Sequence, residues 1–254
     1  MADKPKRPPK VDLKNADGRF GRVLQIGGTA LVVIFAVALV FYIVTSHHKK
    51  GGAEGAGGAV RITSSKLVTQ PGTANPKAVV TFYEDFLCPA CGNFERNFGA
   101  TVSNLIDIGA IAADFDMVAI LDSPKNQNYS SRAGAAAYCV ADESLDAFRR
   151  FHAALYSASI QPDERASNFP DNARLIELAR EAGVVGKVPD CINSGKYITK
   201  VDGAAAAGGI HATPTIKING TEYNPTTPQD FVAKIKEIVG NVPGIDQAVA
   251  PAAS

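Results

Sequence analysis

The chain of 254 residues has no tryptophan, two methionines and four cysteines. It therefore carries no indole reporter, and each of its cysteines can be weighed individually. Neither sign of charge is in excess: 26 Lys and Arg face 25 Asp and Glu, for a net charge of +1, which gives no reason to expect a nucleic-acid partner. Internal repeats are absent. The four histidines, His47, His48, His152 and His211, form no HxxxH-like pair with the cysteines, and Cys139 and Cys191 stand far apart. A zinc site built on the remaining Cys88-Pro89-Ala90-Cys91 would lack its other half, so no metal is expected.

Another absence is local. From Val23 to Val44 there is no charged residue, and only Gln25, Thr29 and the Gly27-Gly28 pair soften the run. Its length matches the roughly 20 residues that span a bilayer as a helix. Ala36-Val37-Ala38 resembles a signal-peptidase site, but cutting there would leave Leu39 to Val44 as an exposed apolar end, and the run exceeds the roughly 7 to 15 residues of a signal core. An uncleaved anchor over 23–45 is therefore expected. Lys4, Lys6, Arg7, Lys10, Lys14, Arg19 and Arg22 precede it, which puts residues 1–22 in the cytoplasm and the rest outside, where disulfides persist. His47 and His48 read as interfacial residues. Residues 46–60, rich in glycine, read as a flexible linker.

What is present is the Cys88-Pro89-Ala90-Cys91 run, reached by an apolar strand over Ala78-Val79-Val80-Thr81-Phe82 and heading a helix with Phe94, Phe98, Val102 and Ile106 at i+4 spacing. Two thiols so spaced can open and close as one disulfide. A helix start lowers a thiol's pKa by presenting unpaired N–H groups and the positive dipole end to it, so Cys88 is the candidate attacking sulfur and Cys91 the resolving one. A second strand is expected over Asp114 to Leu121, with Phe115, Met117 and Ala119 on one face, making a βαβ unit with the dithiol at the carboxyl end of its first strand.

A helical stretch over about 122–209 follows, with helices at Ala133 to Val140, Leu145 to Tyr156, Ala173 to Ala182 and Tyr197 to Ala207, the third bracketed by Asp171 and Gly183. Thr215 to Ile218 and Thr221 to Tyr223 flank Asn219-Gly220 as a hairpin. Thr227, Pro228 and Asp230 announce a last helix with Phe231, Ile235, Ile238 and Val239 on its apolar side. Residues 241–254, rich in alanine and proline, are expected to be disordered. Cys139 and Cys191, left over in an exported chain, are expected to pair as a structural disulfide. Closing a loop of about 50 residues contributes ~4 kcal/mol on a chain-entropy model. His152, amid Phe148, Phe151 and Leu155, reads as a helix residue at the core edge, and His211 lies close before Thr213.

Strand, CxxC-headed helix, strand, helical insertion, then Thr213-Pro214 entering a hairpin and a final helix: this order, over roughly Leu67 to Val239, resembles the thioredoxin fold and, within it, the DsbA-like thiol-disulfide oxidoreductases. With the anchor and the Tyr83-Glu84-Asp85-Phe86-Leu87-Cys88 approach, it is most similar to the membrane-anchored members of actinobacteria. The resemblance implies an α/β domain over 61–240 and a cis peptide at Pro214. It also implies a role for Thr213 in holding a bound peptide beside Cys88. Many thioredoxin-fold enzymes bury a carboxylate six residues before the first cysteine, as a proton acceptor for the resolving thiol. Phe82 stands there instead, and Glu84 or Asp85 could substitute; a solvated loop acid is the alternative for both. The dipeptide between the cysteines is Pro-Ala, with no imidazole. The implied activity is introduction of disulfides into unfolded exported proteins with free thiols, needing no cofactor. The implied partner is a quinone-linked membrane re-oxidase of the DsbB or vitamin K epoxide reductase type. A reductase, or a peptide-holding chaperone module without turnover, are the other readings.

Overall fold

The computed structural model describes residues 55–184 and 186–250. The basic segment, the apolar run, His47, His48, most of the glycine-rich linker and the last four residues lie outside the described residues. Among the described residues, no helix is long and apolar enough to cross a membrane.

A five-stranded mixed sheet carries the fold, in the order β1-β3-β2-β4-β5. Its strands are β1 (Val60–Ile62), β2 (Val79–Glu84), β3 (Ala112–Met117), β4 (Thr215–Ile218) and β5 (Thr221–Glu222). The helix α1 (Pro89–Asp107) connects β2 to β3, which pair in parallel, so the expected βαβ unit is formed. Between β3 and β4 lie the insertion helices α2 (Tyr129–Glu143), α3 (Leu145–Leu155), α4 (Asn172–Glu181), α5 (Val188–Ser194) and α6 (Ile198–Gly208). The last helix is α7 (Pro228–Val239).

β2 is central because its apolar residues can be covered on both faces. Phe82 has no exposed surface; its ring centroid lies 5.2 Å from that of Phe115 and 5.9 Å from that of Phe94. The stripe of α1 is buried as its spacing requires, with Phe94 stacked on Phe98 and Phe98 edge-on to Phe231 of α7. β3 departs from expectation. It begins two residues early, ends at Met117, and is buried at every position rather than on alternate ones. The cause is that α2 and α6 cover the face the alternation would leave wet. Its two acids are paired as burial demands. Asp114 accepts bonds from Arg61 Nε (2.6 Å) and Nη2 (2.7 Å), which ties β1 across β3, and Asp116 accepts from Tyr138 OH (3.0 Å).

Local signals fare well elsewhere. Asn219 and Gly220 both have positive φ, 49° and 82°, the backbone a tight hairpin turn needs. Asp171 caps α4 by accepting from Arg174 N, and Thr227 caps α7 by accepting from Asp230 N. The Asp230 carboxylate turns instead to Thr226 and Tyr223, so the reciprocal half of the capping box closes one residue early. Two short elements, β1 and α5, had no signal long enough to be read. The segment after Gly240 corrects the expectation of disorder. Val242, Ile245 and Ala248 are buried, Ala248 O accepts from Asn104 Nδ2 and Ala250 N donates to Thr101 Oγ1. Small apolar residues that look featureless in sequence suit a shallow seat along α1.

Cys139 of α2 and Cys191 of α5 form the expected disulfide across 52 positions of chain. Replacing both with alanine should lower unfolding free energy by about 2–4 kcal/mol, measured by denaturant titration, without moving the reactivity of Cys88.

Candidate active site

The loop after β2 is held from below. Asp85, fully buried, accepts from Leu87 N (2.8 Å) and from Leu121 N (2.9 Å), so it pins the β2–α1 turn to the chain leaving β3. Burial pushes its carboxyl up to about 6, against these bonds and one to Ser130. Asp85 is thus a structural acid rather than a solvated one.

Cys88 is the N-cap of α1, with Pro89 in the first turn, where a missing N–H costs nothing. Its Sγ accepts from Cys91 N (3.4 Å) and lies 3.3 Å from Thr213 O. Thr213-Pro214 is cis, as the resemblance implied. Cys88 is 6% exposed and Cys91 has no exposed surface, while Pro89 and Ala90 stand out at the surface. Hydrogen bonding from the Cys91 side chain, with further help from Thr213 and the N–H groups of Cys91 and Ala90, outweighs burial and lowers the Cys88 thiol from 9.0 to about 6. The Cys91 thiol is pushed far up, first by burial, then by Cys88 and the Glu84 carboxyl. The two sulfurs are free thiols here, one poised to ionise and the other held protonated.

Glu84 is a buried acid, not a solvated loop one. It is 3% exposed, and its Oε2 lies 3.0 Å from His152 Nε2. On the other ring nitrogen, His152 Nδ1 stands 3.8 Å from Glu95 Oε2. Burial raises both carboxyls to about 8 and lowers the histidine. His152 corrects its reading as a core-edge residue: it is buried, ringed by Phe86, Phe115, Phe148 and Tyr156. The ligand atoms of Glu84, Glu95 and His152 lie within 4.8 Å of one another, near enough for a metal ion to be considered there. His211 is exposed on the loop before Thr213.

Glu95 and Gln161 were missed by sequence reasoning. Glu95 lies one helical turn beyond Cys91, at the edge of the Phe94 and Phe98 stripe, and an acid at that edge was the available signal. Gln161 had none. Its Nε2 donates to Cys88 O (3.0 Å) and Phe86 O (3.3 Å), and its Oε1 accepts from Arg96 (3.0 Å). A Cβ on Gly92 would lie 1.9 Å from that Oε1, so the glycine after Cys91 makes room for the strap.

A helix-capping thiol of lowered pKa, a buried partner thiol three residues on and a cis-proline loop beside them define a dithiol–disulfide exchange site on a thioredoxin-like sheet. A family model described as thioredoxin matches residues 68–237. The reduced crystal structure of DsbA from Mycobacterium tuberculosis is 77% identical, covers 75% of this chain and 97% of its own, and superposes with a TM-score of 0.74. A reduced disulfide oxidoreductase, DsbG, from the same organism is also 77% identical, covers 79% and 97%, and has a TM-score of 0.76. The MdbA oxidoreductase of Corynebacterium matruchotii shares the fold at 23% identity, covering 67% of this chain and 85% of its own, with a TM-score of 0.55. Among curated proteins, the serine/threonine-protein kinase PknE of M. tuberculosis is 28% identical over 147 residues, 57% of this chain. The chain spans about a quarter of the length of the curated relatives it matches. The chain belongs to the thioredoxin family, in its actinobacterial DsbA-like branch of thiol-disulfide oxidoreductases.

Alkylation of Cys88 followed by mass should rise with pH through an inflection near 6, where an unassisted thiol inflects near about 8.5. A single inflection at the unassisted value would remove the basis for the site.

Proposed function

We propose that the chain donates disulfides to unfolded exported proteins that carry free thiols. It acts from the outer face of the cell membrane, held by the apolar run over 23–45 with its N-terminus in the cytoplasm. The observation that carries the reading is the Cys88 thiol at the mouth of α1, lowered to about 6 beside a buried partner. In the donor direction, a substrate thiolate attacks Cys88 Sγ of the Cys88–Cys91 disulfide. The S–S electron pair leaves on Cys91, which takes a proton, because its anion is disfavoured by burial beside Glu84. A second substrate thiolate attacks the substrate sulfur of the mixed disulfide, closes the substrate's disulfide and releases Cys88 as thiolate.

Stabilising that thiolate drives donation. Moving a thiol from 9.0 to about 6 favours the reduced enzyme by on the order of 4 kcal/mol at high pH. The sign follows from linkage: a depressed pKa contributes stability fully above 9.0 and loses it as pH falls through about 6. Two reference enzymes bracket the expectation: thioredoxin, with a thiol near ~7 and a potential of about −270 mV, and DsbA, near ~3.5 and about −120 mV. Re-oxidation falls to a quinone-linked membrane partner of the DsbB or vitamin K epoxide reductase type, which takes the two electrons from Cys88 and Cys91. The thiol chemistry and the exported compartment implied by the basic N-terminus support that partner.

Equilibration of Cys88–Cys91 in a glutathione series, read by thiol trapping, should give a potential between about −270 and −120 mV. A value at or below the thioredoxin end would make the chain a reductase. Cys88→Ser should abolish oxidation of a dithiol peptide, and undiminished function would leave only a peptide-holding module. The full-length chain should float with membranes after carbonate washing, whereas a variant lacking residues 1–50 should not.

A further inference from the structure

Glu84 from the end of β2, Glu95 from α1 and His152 from α3 meet behind the dithiol, with side chains 3%, 8% and 5% exposed. One ligating atom from each lies within 4.8 Å of the other two, and the two carboxyls share a hydrogen bond. That shared proton leaves the cluster incompletely satisfied. Beyond it, Glu84 Oε1 and Glu95 Oε1 are buried with no donor among the described residues. Tyr156 OH, whose ring stands 5.1 Å from that of His152 between centroids, is buried without a partner as well. Folded proteins keep few such groups, and three of them gathered around one imidazole leave room for a ligand that takes up lone pairs.

The surroundings supply no cation to these acids. Asp85, next to Glu84, is committed to the N–H groups of Leu87 and Leu121. Arg96 and Arg149 stand at the edge of the cluster but are engaged elsewhere, the first with Tyr156 O, Gln161 and Asn93, the second with Asp107 and Ser103. Two carboxylates packed together away from water repel each other, and a proton or a cation between them removes that cost. A divalent ion does so completely: with two carboxylates and a neutral imidazole it makes a centre of zero net charge.

The donor set selects the ion. One imidazole nitrogen with two carboxylate oxygens suits zinc, whereas calcium and magnesium take oxygen ligands. Around a tetrahedral ion bound at about 2.1 Å, neighbouring ligand atoms stand about 3.4 Å apart. Glu84 Oε2 and His152 Nε2, 3.0 Å apart, are already near that spacing. Glu95 closes the remaining gap of about 1 Å by turning its side chain. Gly99, one turn further along α1, carries no Cβ where one would lie 2.8 Å from Glu95 Oε2, so the helix leaves that carboxylate its space. A cavity of about 370 Å³ between α1 and α3 is lined by Glu95, His152, Tyr156, Phe115 and Phe148 among others. It gives the ion a way in and has room for the water that a zinc ion with three protein ligands keeps in its fourth position.

We propose that Glu84, Glu95 and His152 form a zinc site, completed by a water from the cavity between α1 and α3, which pins the helical insertion to the β2–α1 unit behind the dithiol. The site stands apart from the exchange reaction and needs no step of it. On binding, the proton shared by the carboxyls passes to solvent and the ion takes its place. Because three separate elements gather the ligands only in the folded chain, the free energy of binding stabilises the fold.

Thiolates compete for zinc, so the test uses the full-length chain in detergent with the Cys88–Cys91 disulfide closed, stripped with a chelator and then given zinc chloride. Elemental mass spectrometry after removal of free metal should find one zinc per chain in the parent and none in Glu95→Gln or His152→Gln. At a hundredfold excess over Kd, zinc should raise the melting temperature of the parent by about 5–10 °C and leave both variants unmoved. Cobalt chloride, tried on the parent and so independent of how any variant folds, should give visible ligand-field bands without a thiolate-to-metal charge-transfer band. Less than about a tenth of an equivalent of zinc in the parent overturns the site and leaves the carboxyls holding only their proton. A full equivalent retained in both variants also overturns it, by placing the ion elsewhere, His47 and His48 included. So does a thiolate band with cobalt, or displacement of the zinc by a tenfold excess of calcium chloride. Oxidation of a dithiol peptide by the zinc-free parent, run alongside, tests the proposed function separately, since it is unaffected by any of these outcomes.

Discussion

Two sulfurs three residues apart are made chemically unlike by the helix they share. Cys88 caps α1 from outside the first turn, where N–H groups lack intrahelical acceptors, so its anion collects hydrogen bonds that cost no other structure. Cys91 lies inside that turn, shut off from water and set against the Glu84 carboxyl. The same geometry that makes one thiolate comfortable makes the other expensive. Direction of attack, order of the two exchange steps and the identity of the leaving sulfur all follow from that asymmetry. Much of the surrounding structure serves to keep it: Asp85 anchors the turn, Gln161, held by Arg96, straps its carbonyls, and Gly92 leaves space for the strap.

The central strand sets where the asymmetry can be used. β2 is flanked by β3 in parallel and β4 in antiparallel register, so the carboxyl end of β2 and the start of β4 lie side by side, with Tyr83 opposite Thr215. That register brings Thr213 O to the Cys88 sulfur although 125 positions separate them in the chain. The insertion between β3 and β4 adds five helices without disturbing the pairing. From it come His152 and Gln161, one behind the site and one beside it.

Elements with a local cause were legible in the sequence. The stripe of α1, the caps of α4 and α7, the Asn-Gly turn and the sulfur at the helix mouth depend on neighbours a few residues away, and such patterns survive without knowledge of the fold. The misread parts depend on what arrives from elsewhere. β3 looked half-wet because α2 and α6 are invisible to its alternation. The tail looked formless because its seat is on α1. His152 looked peripheral because its partners, Glu84 and Glu95, come from β2 and α1. Phe82 stands where the resemblance led to an acid being expected, and the buried Glu84 two residues on shares its parity, but the second acid, Glu95, needed the helix to be in place.

Moving the buried acid from the position of Phe82 to Glu84 has a physical consequence. Position 82 lies within the strand, where the rings of Phe115 and Phe94 pack against it and leave it no exposed surface. Position 84 is the last of the strand, close to α3 as well as α1, so the acid there can touch a histidine from the insertion while still sensing Cys91.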